Sequence, residues 1–202
     1  MTTRVLTADA ARAWLASIED AAAILEGGGL VGFPTETFYG LGAAIGREDA
    51  VARIFRVKGR PDSKPLLVLV DSVAMAETVA EVSADARLLM ARHWPGALTL
   101  ILRARPTVSG LVTAGTGTIG IRHSPHPLAS ALVRRLDAPL TAPSANLSGQ
   151  VPPTTADDVL RVFDGMLEAI IDGGRTAGGI PSTVLDLTVS PPCVRRQGAV
   201  VL

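Results

Sequence analysis

The chain has 202 residues, with 19 basic and 19 acidic side chains, and is 48% hydrophobic but only 3% aromatic. So apolar and weakly charged a composition excludes a disordered chain, zero net charge argues against a generic polyanion binder, and the length predicts one compact domain. A single cysteine, Cys193, excludes an internal disulfide and a CxxC redox or zinc centre, and fits a reducing compartment.

Arg4, Asp9 and Arg12 interrupt the apolar stretch that a signal peptide would need, and the longest apolar runs, 66–70 and 98–102, fall far short of a membrane span. The expectation is a soluble, cytoplasmic protein without membrane contact. Residues 9–26 read as a helix, because Leu15, Ile18, Ala22 and Leu25 recur at helical spacing and Gly27 to Gly29 stop it. Residues 30–33 follow as a buried strand ending at Pro34, then a loop or helix start at Thr35-Glu36-Thr37. A helix over 48–57 leads through a basic loop, 58–65, into a strand at 66–70. Helices are predicted over 72–80 and 84–92, the second capped by Ser83, then a turn at Pro95-Gly96 and a strand over 97–103. Strands at 118–122 and 139–142 flank a helix at 127–136. A helix at 155–163 and strands at Ile170, 184–187 and 194–201 complete the chain. This alternation indicates an α/β domain with a mixed sheet, in which ligand sites lie in loops at strand ends.

Two stretches match GxGxxG, at Gly27, Gly29, Gly32 and at Gly115, Gly117, Gly120. Both enter a strand instead of leaving one for a helix, so neither has the context of a dinucleotide fingerprint, and both read as turn glycines. His93, His123 and His126 read as surface or loop residues, because Pro125 and Pro127 prevent a helix from aligning the last two, and no metal held by protein ligands alone is expected. Asp157 and Asp158 read as helix N-terminal charges.

The basic stretch is more informative. Arg53, Arg56, Lys58, Arg60 and Lys64 place five cations within twelve residues against Asp62 alone, and the last three fall in the expected Gly/Pro loop, where Lys-x-Arg can converge on a polyphosphate. Three loops share a second form, proline and hydroxyls at a strand edge: Pro34 to Thr37, Thr141 to Gly149 with Ser144, Asn146 and Ser148, and Pro181 to Thr183. They suggest a site that positions substrates by hydrogen bonds without a covalent nucleophile.

Seven stretches in sequence order carry a resemblance: GGLVGFPTETFYGLGA at 28–43, KGRPDSKPL at 58–66, WPGALTLIL at 94–102, GTIGIRHSPHP at 117–127, APSANLSG at 142–149, PSTVLDL at 181–187 and RRQGA at 195–199. The chain resembles the YrdC-like family, whose best-known members are threonylcarbamoyl-AMP synthases acting in tRNA modification. The resemblance implies a single YrdC-like domain over residues 1–202, a twisted mixed α/β sheet with helices around a wide, positively lined cleft. It implies a nucleotidyltransferase that makes threonylcarbamoyl-AMP and pyrophosphate from L-threonine, bicarbonate and ATP with Mg²⁺. A separate threonylcarbamoyl transferase complex, with tRNA as a further contact, would consume the product at adenosine 37 of ANN-decoding tRNAs. Carried over by position, Lys58 and Arg60 would be catalytic and bind the ATP phosphates, joined at the nucleotide by Thr118, Ser144, Asn146 and Arg196. Thr35, Arg122, Ala142 and Ser182 would hold threonine. Some relatives carry a threonine-contacting histidine shortly after the KPL run, where this chain has Leu67 to Val70.

Two other functions compete. A carbamoyl-adenylate-forming relative from hydrogenase maturation belongs to long chains with zinc-binding cysteines, which one cysteine does not match. A non-catalytic RNA-binding module would need a broad basic stripe or stacking aromatics, and this chain has seven aromatic residues.

Overall fold

A computed structural model describes residues 2–8, 11–59, 61 and 64–202. The elements are β1 (Arg4–Thr7), α1 (Ala11–Glu26), β2 (Val31–Pro34), β3 (Tyr39–Gly42), α2 (Glu48–Lys58), β4 (Leu67–Leu69), α3 (Val73–Val79), α4 (Ala84–His93), β5 (Leu98–Arg103), α5 (Gly110–Thr113), β6 (Thr118–Arg122), α6 (Pro127–Leu136), β7 (Leu140–Thr141), α7 (Ala156–Phe163), β8 (Ala169–Asp172), β9 (Thr183–Asp186) and β10 (Cys193–Arg196). They form a mixed α/β fold with two sheets, a four-stranded one in the order β1-β8-β2-β3 and a six-stranded one in the order β10-β9-β5-β6-β4-β7. Isolated bridges Gly40 to Ser144 and Ala44 to Leu140 join β3 of the first sheet to the β7 region of the second.

Alternation along the strands decides what each face meets. In the four-stranded sheet Val31, Phe33, Ala169 and Ile171 pack with α1 and α6 through Ile18, Ala22, Leu25, Leu128 and Leu132. Leu30 and Ile170 belong instead to the larger core, with Ile54 of α2 and Val159 and Phe163 of α7. In the six-stranded sheet Leu98, Leu100, Leu102, Ile119, Ile121 and Leu185 enter that same core. The residues between them, Thr99, Ile101, Thr118, Gly120, Arg122 and Val184, therefore point to the opposite face, where they line a cavity.

Local chemistry sets most element ends. Ser72, Ser83 and Thr155 accept the free amides of Met75, Ala86 and Asp158 at the starts of α3, α4 and α7. Pro127 opens α6. The structure departs from the sequence reading in several elements. Two short strands, β1 and β3, and the short helix α5 were not expected. The helix α2 runs on through Lys58, because Gly59 at φ 55° supplies the left-handed C-cap, so Lys58 ends a helix and does not begin a loop. The last strand stops at Arg196, and the backbone beyond it folds back, with the Ala199 amide donating to the Pro181 carbonyl. Residues 9 and 10 of the first expected helix, and residues 60, 62 and 63 of the expected basic loop, Arg60 among them, lie outside the described residues. Among the described residues no helix is long and apolar enough to cross a membrane.

Candidate active site

The cavity on the open face of the six-stranded sheet has a volume of about 380 Å³, within the range of small-molecule sites. Its floor is sheet, from Thr99, Ile101, Gly120 and Val184, and its walls are the three hydroxyl-bearing loops after β2, after β7 and before β9. The expectation of a site in loops at strand ends is thus half of the arrangement. A Cβ on Gly120 would meet nothing closer than Thr99 Cγ2 at 3.5 Å, so the glycine keeps the floor low without being required by packing.

Seven residues assigned from the sequence line this cavity: Thr35, Thr118, Arg122, Ala142, Ser144, Ser182 and Arg196. Arg122, at the end of β6, is only 3% exposed. Its Nη1 donates to Thr37 Oγ1 at 3.2 Å and its Nη2 to Thr35 Oγ1 at 3.4 Å. Nη1 also lies 3.0 Å from Glu36 Oε1, an ion pair not angled as a hydrogen bond, and Nε is buried without a partner. Burial pushes the guanidinium down from its ordinary range, Glu36 opposes that, and Arg196 adds to it. Arg196 is exposed over much of its side chain, but its guanidinium is partly desolvated, which also pushes it down, and it donates to the Ser182 carbonyl through Nε at 3.1 Å and Nη2 at 2.8 Å. Its Nη2 reaches Ser182 Oγ as well, at 3.1 Å, and that hydroxyl pairs with Thr99 Oγ1 at 2.9 Å.

Thr35 spends its hydroxyl on the loop itself. It donates to the Phe38 carbonyl at 2.7 Å and accepts from the amides of Thr37 and Phe38. This turn presents both Thr35 and Thr37 to Arg122. Ser144 and Ala142 sit opposite, on the segment that bridges Gly40.

Lys58 and Asn146 are adjacent to the cavity instead of lining it. Lys58 is buried, and its ammonium donates to the carbonyls of Ser144 at 2.5 Å and Asn146 at 2.7 Å, bracing the loop after β7 from below. Asn146 donates to the carbonyls of Leu147 and Gln150, shaping the next turn, and its Oδ1 is buried without a partner.

The structure adds Glu36, Thr37, Thr99 and Tyr39. Glu36 follows the proline-hydroxyl signal of its loop, and Thr99 would have been found by applying strand alternation to 98–102. Tyr39 donates its hydroxyl to the Gly174 carbonyl at 2.7 Å, and its pKa is pushed up to about 12, chiefly by burial. His123 and His126 are less superficial than expected. Burial pushes both imidazoles towards the neutral form, and His126 Nδ1 is buried without a partner. Among the described residues no group of three or more His, Cys, Asp or Glu is placed to hold a metal ion.

The Sua5/YciO/YrdC family model, described as telomere recombination, matches residues 23–198, the span that contains both the sheets' central strands and every residue of the cavity. The chain belongs to the Sua5/YciO/YrdC family. The resemblance carried by the seven stretches is therefore borne out, as is the mixed α/β fold. Within the family the chain is 45% identical over 186 residues to a threonylcarbamoyl-AMP synthase of Pyrococcus abyssi, covering 92% of this chain and 55% of the relative. It is 46% identical over 185 residues to that of Bacillus subtilis, covering 91% and 54%. A crystal structure of Pyrococcus abyssi Sua5 complexed with L-threonine matches with a TM-score of 0.91 at 42% identity, over 98% of this chain and 58% of that one. The chain spans about half the length of these relatives.

Proposed function

We propose that this chain is a threonylcarbamoyl-AMP synthase, forming L-threonylcarbamoyladenylate and pyrophosphate from L-threonine, bicarbonate and ATP. Arg122 carries the reading. A guanidinium this deeply buried at the wall of an open cavity, with Nε still unpartnered, is arranged for a planar anion such as a carboxylate, and a relative with this fold is known in complex with L-threonine.

The reaction asks for positioning and charge more than for a protein nucleophile. The threonine amine and bicarbonate give a carbamate and water. A carbamate oxygen then attacks the α-phosphorus, the bond to the bridging β-phosphate oxygen breaks, and pyrophosphate leaves. Two anions must approach each other, so cations must gather around them. In this reading Arg122 holds the amino-acid carboxylate, with Thr35 and Thr37 fixing the guanidinium, while Ser182 and the Ala142 segment bound the amino acid. Arg196, Lys58 and Arg60 supply the positive charge for the phosphates, and Thr118, Ser144 and Asn146 complete the nucleotide side. Lys58 would act from beneath the Ser144 to Asn146 loop that it braces.

The described lining offers hydroxyls and guanidinium groups and no carboxylate, a donor set that suits a Mg²⁺ carried in on phosphate oxygens and not one held by the protein. Such an ion would offset part of the triphosphate charge. In this reading a threonylcarbamoyl transferase with its tRNA consumes the adenylate downstream, in the cytoplasm.

Pyrophosphate release tests the proposal. Release that requires threonine, bicarbonate and ATP together is expected. Release independent of threonine, or RNA binding with no release, would contradict it.

A further inference from the structure

Two anionic groups of different charge would share one cavity, the single carboxylate of the amino acid and the phosphates of ATP. Among the described residues lining it, Arg122 and Arg196 are the charged ones, and the charge of Arg196 disfavours that of Arg122. Glu36, which does not line the cavity, is paired to Arg122 Nη1 at 3.0 Å, and its other oxygen accepts a short hydrogen bond of 2.5 Å from Ser124 Oγ. Ser124 is itself fixed, since its oxygen accepts the His126 amide at 3.2 Å at the start of α6. Burial pushes the neighbouring imidazoles of His123 and His126 towards the neutral form.

We propose that Glu36 is the specificity-determining residue that keeps polyphosphate off Arg122 and reserves that guanidinium for the monoanionic carboxylate of the amino acid. The inference rests on the functional reading above. Glu36 offsets the charge of Arg122, so that guanidinium suits a single carboxylate, while Arg196 keeps its charge for phosphate. A triphosphate seated on Arg122 would instead face the Glu36 carboxylate across one side chain, and would find its better partner in the cavity at Arg196. Glu36 touches neither substrate. It acts through Arg122, both as counter-charge and by orienting the guanidinium plane, and the Ser124 hydrogen bond keeps it from turning away. This arrangement gives a physical reason for the acidic residue between Thr35 and Thr37: those hydroxyls alone could fix Arg122 without altering its charge.

Inorganic tripolyphosphate is the probe, because it presents the phosphate charge without the nucleoside. With the wild-type protein it is expected to compete with ATP and to leave the apparent KM for threonine unchanged. With Glu36→Gln, which keeps the shape and a group for Ser124 but removes the charge, tripolyphosphate should compete with threonine and raise its apparent KM by about tenfold or more, the scale of one charge-assisted hydrogen bond. Glu36→Asp should restore the wild-type pattern in direction, and Ser124→Ala, which retains both charges, should not create the competition. Competition between tripolyphosphate and threonine in the wild type overturns the proposal without any variant, and so does an unchanged pattern in a folded Glu36→Gln protein. Titration calorimetry separates this from the reading beneath it: wild-type protein that binds no L-threonine overturns the functional assignment, whatever Glu36 does.

Discussion

Replacing Arg122 by lysine isolates what the guanidinium does from the charge it carries. Lysine keeps a cation opposite Glu36, so the buried carboxylate is not orphaned, but a point-like ammonium cannot hold Thr35 and Thr37 and still present a planar edge to a ligand. Arg122→Ala would be a poorer experiment, since leaving one partner of a buried ion pair alone costs about 3 to 5 kcal/mol and would confound binding with folding. The ligand should lose one charge-assisted hydrogen bond of a bidentate pair, worth about 1.5 to 3 kcal/mol, hence roughly 10- to 100-fold in threonine affinity. The nucleotide side of the cavity keeps Arg196, so the apparent KM for ATP should move by less than about threefold on the same scale. Steady-state pyrophosphate release, with threonine and ATP varied in turn and a thermal melt to verify folding, gives all three quantities. Unchanged threonine affinity in a folded Arg122→Lys protein, or a loss confined to ATP, would refute the assignment of Arg122 to the amino acid.

Other outcomes follow from neighbouring parts of the site. Gly120→Val should fill the cavity floor and reduce turnover at least about tenfold with little change in melting temperature, because its Cβ has room beside Thr99 and the branched side chain suits a strand; full activity would mean that substrates do not rest on this sheet face. Arg196→Ala should raise the ATP requirement more than the threonine requirement in the same assay. Valine should be a poor substitute for threonine, by roughly 10⁴-fold if the hydroxyl is hydrogen-bonded in the site, with serine the better impostor, and equal adenylate yields would show that the hydroxyl is not read. Arg195→Ala should leave turnover intact but lower the melting temperature at pH 7, as measured by thermal scans across pH. Burial pushes the Asp186 carboxyl up, but hydrogen bonds from Thr188 and Arg195 outweigh it and leave its pKa below the ordinary value. A depressed folded-state pKa contributes stability above the unfolded value that is lost as pH falls through the folded one, so the gap between wild type and Arg195→Ala should close below about pH 4.

That last expectation reverses a simpler sequence argument. Adjacent strand residues point to opposite faces, which would make Arg195 a bare solvent-facing residue once Arg196 faces the cavity. The register of β10 on β9 slips between Val194 and Arg196, and Arg195 instead reaches the buried Asp186 through Nε and Nη2 at 3.0 and 2.8 Å. A bulge of this kind leaves no mark in the hydropathy pattern. Helices were legible because their apolar residues repeat every three or four positions and their caps are explicit, as at Ser83 and Thr155. The strands β1 and β3 were not: Arg4–Thr7 is four residues with one buried side chain, and Tyr39–Gly42 is buried throughout with glycine at alternate positions, so neither alternates. The overextended last strand came from reading Val200 and Val201 as strand, although that segment turns back to Pro181 and Thr183.

In the site, the cations and hydroxyl loops could be read in the chain because proline, threonine and arginine cluster visibly there. The sheet floor could not, since Thr99, Ile101 and Gly120 look ordinary until β5 and β6 are paired and their inward neighbours assigned to the core. Gly59, one residue after Lys58, is the helix stop signal that puts Lys58 in the last turn of α2 and not in the loop.

Mass spectrometry of the nucleotides formed when the protein is incubated with ATP, Mg²⁺, bicarbonate and one amino acid at a time measures the proposed chemistry itself. L-threonine should give threonylcarbamoyl-AMP with equimolar pyrophosphate, and valine at most a trace. A folded protein that forms no adenylate with any amino acid, or that forms carbamoyl-adenylate from carbamoyl phosphate instead, would contradict the account.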